Sequence, residues 1–455
     1  MRGIRSTLTL FVIALGLGLY IYFIESERPT SVAQAELEQV FPFASDDVTR
    51  LAVTAETGER TVIEKTDDRW HLSEPFDGNV DVTKVVSLSS SLATLELQRV
   101  VAEPEDAPDL SIFGLAAPRI IVGVTTETDE QQLLIGDRTP TGNDLYATVA
   151  GSDRIFLISG FLDSTFNQTT FDLRDKTILN ITRDQVDGLE ISGDQLNIQL
   201  RKTESQWSLV RPIEAHADLG ATDGIVGQLS TSQMSSVEEE DADNLEPYGL
   251  DTPTLSVSVG LGSSTATLLL GTPTPMGTVY ARDASRDLVF TVDQSLVTEL
   301  RQGVEAYRRR DLFAFRPFNA TALELDVEGE RWNFEKVEAT GEEETDSWRR
   351  TSPDTGTVDQ EPMDDLLAKF SNLRAESFEP TRDNTGLDTP IATVRVTYNE
   401  TDSVEQVTIG RVEESVFAIN GNEPGAARLN TRSWEDAIDA LVPLSSRSDD
   451  DEGTP

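Results

Sequence analysis

The sequence predicts an α+β protein: three tandem homologous units of antiparallel sheet with one main packed helix each, after an N-terminal transmembrane helix. Three observations predict it. One set of short motifs recurs three times, in the same order, along the 455 residues. Each unit holds closely spaced alternating segments, which read as half-buried strands, around one amphipathic stretch. An uncharged apolar run stands at the N-terminus.

That run comes first. Arg2 and Arg5 precede the uncharged stretch from Ser6 to Ile24, and about 20 apolar residues suffice to cross a bilayer as a helix. Tyr20, Tyr22 and Phe23 gather at its far end, where aromatic rings favour the interface, and Glu25 and Glu27 follow. The positive-inside rule places Met1 in the cytoplasm and the bulk of the chain outside, as in a single-pass protein of the inner membrane facing the periplasm. Ala33-Gln34-Ala35 resembles a signal-peptide cleavage box, but it lies well beyond the run. Signal h-regions span roughly 7–15 residues with the cut close behind, so residues 1–25 read as an uncleaved anchor. Residues 26–45 read as a polar stalk.

The three units are expected at 46–179, 180–317 and 318–444, with an acidic tail at 445–455. Each opens with an alternating strand: Leu51-Ala52-Val53, Leu189-Glu190-Ile191, Leu323-Glu324-Leu325. W-x4-P follows at Trp70 to Pro75, Trp207 to Pro212 and Trp348 to Pro353. The indole belongs in the core, and the proline, lacking an N–H for the ladder, ends the strand. Asp81, Asp218 and Asp359 stand eleven residues after each Trp, where an aspartate suits a helix N-cap. Met363, Leu366, Leu367, Phe370 and Leu373 mark the best helical face. Val82, Val85, Val86, Leu92 and Leu95 give a looser version of it.

G-L-x-x-P comes next, at Gly114 to Pro118, Gly249 to Pro253 and Gly386 to Pro390. Gly can take positive φ, and Pro opens the next extended run. An apolar-Gly pair ends at Gly136, Gly271 and Gly410, and an aromatic-Ala pair begins at Tyr146, Tyr280 and Phe417. Strands this closely connected are expected to be antiparallel. Short helices are expected near Phe161–Phe166 and Gln294–Tyr307. Arg174-Asp175 and Arg310-Asp311 read as closures of the first two units.

Composition bounds the chemistry. With 38% hydrophobic and 26% charged residues the chain is an ordinary globular mix, which argues against wholesale disorder. The net charge of −44 repels phosphate backbones and excludes nucleic acid as a main ligand. An acidic chain with six lysines fits high-salt surroundings, and it fits an ordinary acidic secreted protein equally well. There is no cysteine, so disulfides, thiolate catalysis and Cys-based metal sites are ruled out. His71 and His216 are the only histidines, and no G-x-S-x-G elbow accompanies them.

Acidic pairs such as Asp67-Asp68 and Asp364-Asp365 are expected by chance among 81 acids. Asp241-Ala242-Asp243-Asn244 lacks the Gly and distant Glu of a calcium loop. Arg308-Arg309-Arg310 is the one basic cluster. It reads either as a docking spot for an acidic partner or as cations at a helix C-terminus, and the second reading is favoured. The repeated residues all have packing, capping or turning roles, so no catalytic, cofactor-binding or metal-ligating residues are assigned.

The order W-x4-P, helix, G-L-x-x-P, apolar-Gly, Tyr-Ala and Arg-Asp resembles the bacterial "domain of unknown function 4340" family, over roughly residues 46–445. The third unit departs from it with Phe417 and no Arg-Asp closure. Members of that family have an N-terminal membrane anchor, and their genes commonly sit beside those of a gliding-type ABC transporter. The resemblance therefore implies an envelope accessory protein partnered with a transporter permease or auxiliary subunit, and it implies no catalytic residues or cofactor. Binding is expected on surfaces between units, where clefts form by default. The alternatives are a cell-wall or polysaccharide binder and, less favoured, a carboxylate hydrolase, which would need one unit with an acid/base set the others lack.

Overall fold

The structure, a computed structural model, describes residues 38–339, 346–399, 403–421 and 423–445. The expected anchor, the stalk up to residue 37 and the tail beyond Ser445 lie outside these. Among the described residues no helix is long and apolar enough to cross a membrane. The chain divides into two compact units, Met1–Lys176 and Thr177–Pro455. The first carries one nine-stranded sheet and the second carries two.

The first sheet contains β1 (Val48–Thr54), β2 (Arg60–Thr66), β3 (Arg69–Glu74), β4 (Gly78–Asn79), β5 (Arg99–Ala102), β6 (Ile120–Thr126), β7 (Glu130–Arg138), β8 (Asp144–Val149) and β9 (Ile155–Ser159). Their order is β4-β3-β2-β1-β6-β7-β8-β9-β5, and every pair is antiparallel. Two four-stranded meanders thus meet at β1 and β6. The helix Val82–Ala93 connects β4 at one edge to β5 at the other, so it crosses the sheet.

The second sheet, between Gly188 and Asp293, and the third, between Ala320 and Leu429, repeat this order strand for strand. Their main helices are Leu219–Thr231 and Gln360–Ser371. Even the register shifts recur: the pairing of second and third strands slips between Val62 and Ile63, Gln199 and Leu200, and Asn333 and Phe334. The predicted short helices stand at Asp163–Phe166 and Gln294–Leu300.

Alternation decides which face is core, because successive strand side chains point to opposite sides. In the first unit Leu51, Val53, Ile120, Val122, Leu133 and Ile135 are fully buried, and the helix lays Val85, Leu88 and Leu92 on them. Val82 and Val86, expected on that face, are 55% and 47% exposed. Val82 is the first residue of the helix, and for Val86 the reason is helical geometry. Val85, Leu88 and Leu92 make one stripe at i, i+3 and i+7, while Val86 lies about 100° round from Val85. In the third sheet all five predicted positions, Met363 to Leu373, are buried.

The start of each repeat differs from the expected boundaries. Gln39 bridges Glu96, Thr177 bridges Gln233, and Asp311 bridges Arg374, each time joining a leading segment to the chain just past the main helix. Phe41, Leu179 and Phe313 in these segments are fully buried. Phe41, with Val40 and Phe43 against the same core, therefore ties the segment 38–45 to the first sheet, while Glu38, Gln39, Pro42 and Ala44 stay exposed. Likewise Arg310-Asp311 opens the third repeat instead of closing the second. The residue that matches Arg174 is Arg308: Arg174 bridges Val80, and Arg308 bridges Ala217, each just before the capping aspartate.

Candidate functional site

The repeated residues gather into three local devices in each sheet. The first joins two glycine motifs. Gly114, Gly249 and Gly386 have φ of 69°, 66° and 73°, a left-handed turn that glycine adopts without steric cost. Each turn presses the preceding carbonyl onto the bare Cα of the second glycine. A Cβ on Gly136, Gly271 or Gly410 would lie 2.1, 2.1 or 2.4 Å from the oxygen of Phe113, Tyr248 or Thr385. Beside it, Tyr146 packs edge-on against Phe113 at 4.9 Å and Tyr280 against Tyr248 at 5.1 Å. In the third sheet Phe417 and Thr385 hold those places. Pro118, Pro253 and Pro390 each stand two residues before the next strand, at Ile120, Leu255 and Ala392.

The second device surrounds the tryptophans. Trp207 and Trp348 are buried, and Trp70 is half-buried. Each stands opposite a lysine on the neighbouring strand: Lys65, Lys202 and Lys336. The Lys65 and Lys202 ammonium groups lie 6.0 and 5.6 Å from the ring centroids, within reach of a cation–π attraction. Half of the six lysines therefore serve one repeated position. Pro75, Pro212 and Pro353 all follow cis peptide bonds. The third device is the N-cap. Asp81 and Asp218 accept from the amides of Lys84 and Ala221, whereas Asp359 sits at the N-cap without a side-chain cap bond.

Charged groups converge where the second and third sheets meet, inside the second compact unit. The segment Tyr307 to Arg309 lies beside the edge strand Ala215–His216, with Arg309 N donating to His216 O at 2.9 Å. Arg308 is 6% exposed. Its guanidinium lies 4.0 Å from the Phe378 ring centroid. It donates to Glu423 at 3.0 Å and to the Pro424 carbonyl at 3.1 Å. The other Glu423 oxygen accepts from His216 N at 3.0 Å. Arg309 donates to Glu405 at 3.1 Å, and Glu405 also accepts from Ala314 N at 2.6 Å. Burial and the Glu405 charge raise the Tyr398 hydroxyl above its ordinary pKa, with Arg309 opposing. Buried charges persist when paired in this way.

A cleft of about 790 Å³ opens beside this joint, between the chain from Ser208 to His216 and the hairpin bearing Asn420 and Glu423. Leu209, Pro212 and Ile213 give it an apolar wall, and Glu214, His216 and Glu423 its polar groups. Ser208 stands opposite His216 across the strand pair, and no hydrogen bond joins the two side chains. An activated nucleophile needs its base within hydrogen-bond reach. The arrangement can hold an extended or partly apolar group.

The remaining sequence candidates fall elsewhere. Arg308 and Arg309 make internal ion pairs just past the short helix Val304–Ala306, and Arg310 is exposed. Asp67 and Asp68, at φ 50° and 62°, form the turn between β2 and β3, where a two-residue hairpin wants positive φ. Asp364 accepts from Gln360 on the exposed side of its helix. His71 pairs opposite Glu64 within its sheet. Asp241 and Asp243 are exposed beside buried Ala242. Among the described residues no group of three or more His, Cys, Asp or Glu is placed to hold a metal ion. Glu405, Glu423 and Phe378 were not singled out by sequence, because 96, 115 and 70 residues separate them from the arginines they meet.

Fold and site together define a tandem-repeat protein built from nine-stranded antiparallel sheets. The match of the family described as Domain of unknown function (DUF4340) to residues 70–208 and 207–390 places the chain in that family. The two matched spans begin at Trp70 and Trp207, equivalent positions one repeat apart, so the family unit is cut out of phase with the sheets. No curated protein and no solved structure matches the chain.

Proposed function

We propose that the chain is a membrane-anchored extracytoplasmic binding or scaffold protein, an accessory component of an ABC-type transporter system of the cell envelope. The carrying observation is that the residues repeated across the sheets meet one another in turns, cores and caps. What is left for function is the surface where repeats meet, and the cleft beside Glu423 is such a surface. The apolar run from Ser6 to Ile24 supports the anchor, and the gene neighbourhood typical of the family supports the transporter. The test is a photo-crosslinking residue at Ile213, activated in cells, followed by mass spectrometry of the detergent-solubilised adduct. The expected adduct contains a transporter permease or auxiliary subunit. Adducts without any transporter subunit would remove the role.

A further inference from the structure

Comparison of the three sheets singles out one face of the second. Opposite the buried Leu189, Ile191, Val257 and Val259, four neighbouring strands set their side chains in level rows. One row runs Arg201, Gly188, Gly260, Thr265, and the next runs Gln199, Glu190, Ser258, Thr267. The row matching the first is Glu64, Arg50, Thr125, Glu130 in the first sheet. In the third it is Glu335, Ala322, Thr397, Val404. Of the three rows, only that of the second sheet leaves two adjacent positions without side chains. A cavity of about 410 Å³ lies over them.

The fold accounts for one of these glycines. A Cβ on Gly260 would lie 2.8 Å from Asp187 Oδ1, and Gly262 N fixes that side chain by donating to its other oxygen at 3.1 Å. Nothing comparable holds at Gly188. Its φ lies outside the left-handed region, and a Cβ there would come no closer than 3.8 Å to any atom beyond its chain neighbours. Glycine weakens a sheet, so this bare position lowers stability without a steric reason. Glycines of this kind mark places where another molecule approaches the backbone closely.

The surroundings select the ligand. Backbone N–H and C=O groups point along the sheet toward the neighbouring strands, so the floor is flat and offers mainly C–H groups. The rim is polar. Arg201 supplies donors, Glu190 acceptors and Gln199 both. Among the described residues none of these three side chains makes a hydrogen bond or an ion pair. In the first sheet the matching row spends its charges internally, because Arg50 pairs with Glu64 at 3.1 Å. In the second, arginine and glutamate stand in different rows. A flat ring with a C–H face and an edge of hydroxyls, each able to donate and accept, fits such a floor and rim. That is a pyranose. The net charge of −44 disfavours an acidic one.

We propose that this socket on the second sheet binds a neutral saccharide, with one pyranose lying on Gly188 and Gly260 and its hydroxyls on Glu190, Gln199 and Arg201. The proposal goes beyond the transporter reading and does not depend on it.

The experiment applies the purified full chain to an array of neutral, acidic and aminated oligosaccharides, then titrates the neutral one that is best retained. Saturable binding is expected. Gly188→Thr fills the floor with a residue that suits a strand. It should weaken binding at least tenfold while leaving the urea midpoint unchanged or higher, which separates loss of the site from loss of the fold. Glu190→Ala and Arg201→Ala should each weaken binding about tenfold, and Asp326→Ala on the third sheet should not. Competition by the free monosaccharide tells a solute from a unit of a longer chain, and either result supports the proposal. Retention of acidic saccharides alone, retention of none, or indifference to Gly188→Thr overturns it. So does tighter binding of free alanine, which would make a zwitterion the ligand of Glu190 and Arg201. None of these outcomes touches the Ile213 crosslink, so the two readings can fail separately.

Discussion

The second and third sheets share strand order, the slip between second and third strands, glycine contacts and cis-proline turns, and two of their differences are instructive. The second edge is lined by Tyr307 to Arg309, while among the described residues no main-chain bond reaches Thr357 O or Asp359 N from a covering segment. The core position held by Leu209 in the second sheet, and by Leu72 in the first, is Arg350 in the third. Arg350 is 7% exposed. Its guanidinium bonds the carbonyls of Leu444 and Asp354 and lies 5.8 Å from the Trp332 ring centroid. The device residues stay fixed where a turn or a cap needs them. Variation collects where one repeat meets its successor or, in the last repeat, the helix Val442–Ser445.

The joint between these sheets should show the largest effect. Glu423→Ala leaves the Arg308 guanidinium buried without its carboxylate, and stranding a buried charge costs about 3 kcal/mol. Asp326→Ala removes a pair whose side chains are 78% and 43% exposed, and should cost less than about 0.5 kcal/mol. Urea unfolding of the full chain measures both. Equal effects would mean that the joint does not hold the two sheets more firmly than a surface pair does.

A smaller effect distinguishes the covering segments. Leu173 and Tyr307 occupy the same place in the first and second repeats. Burial, then the Glu299 charge, pushes the Tyr307 hydroxyl up to about 12, against about 10 in an unfolded chain. The folded state favours the neutral phenol, so this stability is fully present below pH 10 and is lost as pH rises from 10 toward 12. The loss is roughly 2 kcal/mol. Tyr307→Phe should leave neutral-pH stability nearly unchanged and remove this part of the alkaline slope. Tyr248 and Tyr398 are raised as well, so some slope remains. An unchanged slope in denaturant midpoints between pH 9 and 12 would show that Tyr307 ionises freely.

The repeat was legible because its devices are short in sequence: W-x4-P, the capping aspartate and G-L-x-x-P each act within one turn. What their glycines touch was not legible, since Gly114 and Gly136 meet across 22 positions through a carbonyl that any residue could supply. The lysine opposite each Trp follows from strand register, which a two-residue shift would erase. The Arg-Asp dipeptide misled because Arg308-Arg309-Arg310 offers three arginines, and only backbone pairing shows that Arg308 matches Arg174. The stalk boundary failed because Phe41 and Phe43 are too few apolar residues to mark a packed segment, yet they stack at 5.5 Å with Phe41 in the core.

The smallest effect lies at the three N-caps. The Asp81 carboxylate accepts from Lys84 N at 3.1 Å and that of Asp218 from Ala221 N at 2.8 Å. Replacing either by Ala should cost about 1 kcal/mol, the usual value for a lost cap. Asp359 makes no such bond, and Asp359→Ala should cost only about 0.3 kcal/mol, from the helix dipole alone. The difference follows the edges. Asp81 and Asp218 are fixed by main-chain bonds to Leu173 and Tyr307, which orient the carboxylate toward the first turn, and Asp359 has no such strand among the described residues. Urea unfolding of the three Ala variants measures these costs, and Asp359→Ala should be the mildest. An equal cost at all three would mean that the main-chain bonds to Leu173 and Tyr307 do not orient the cap.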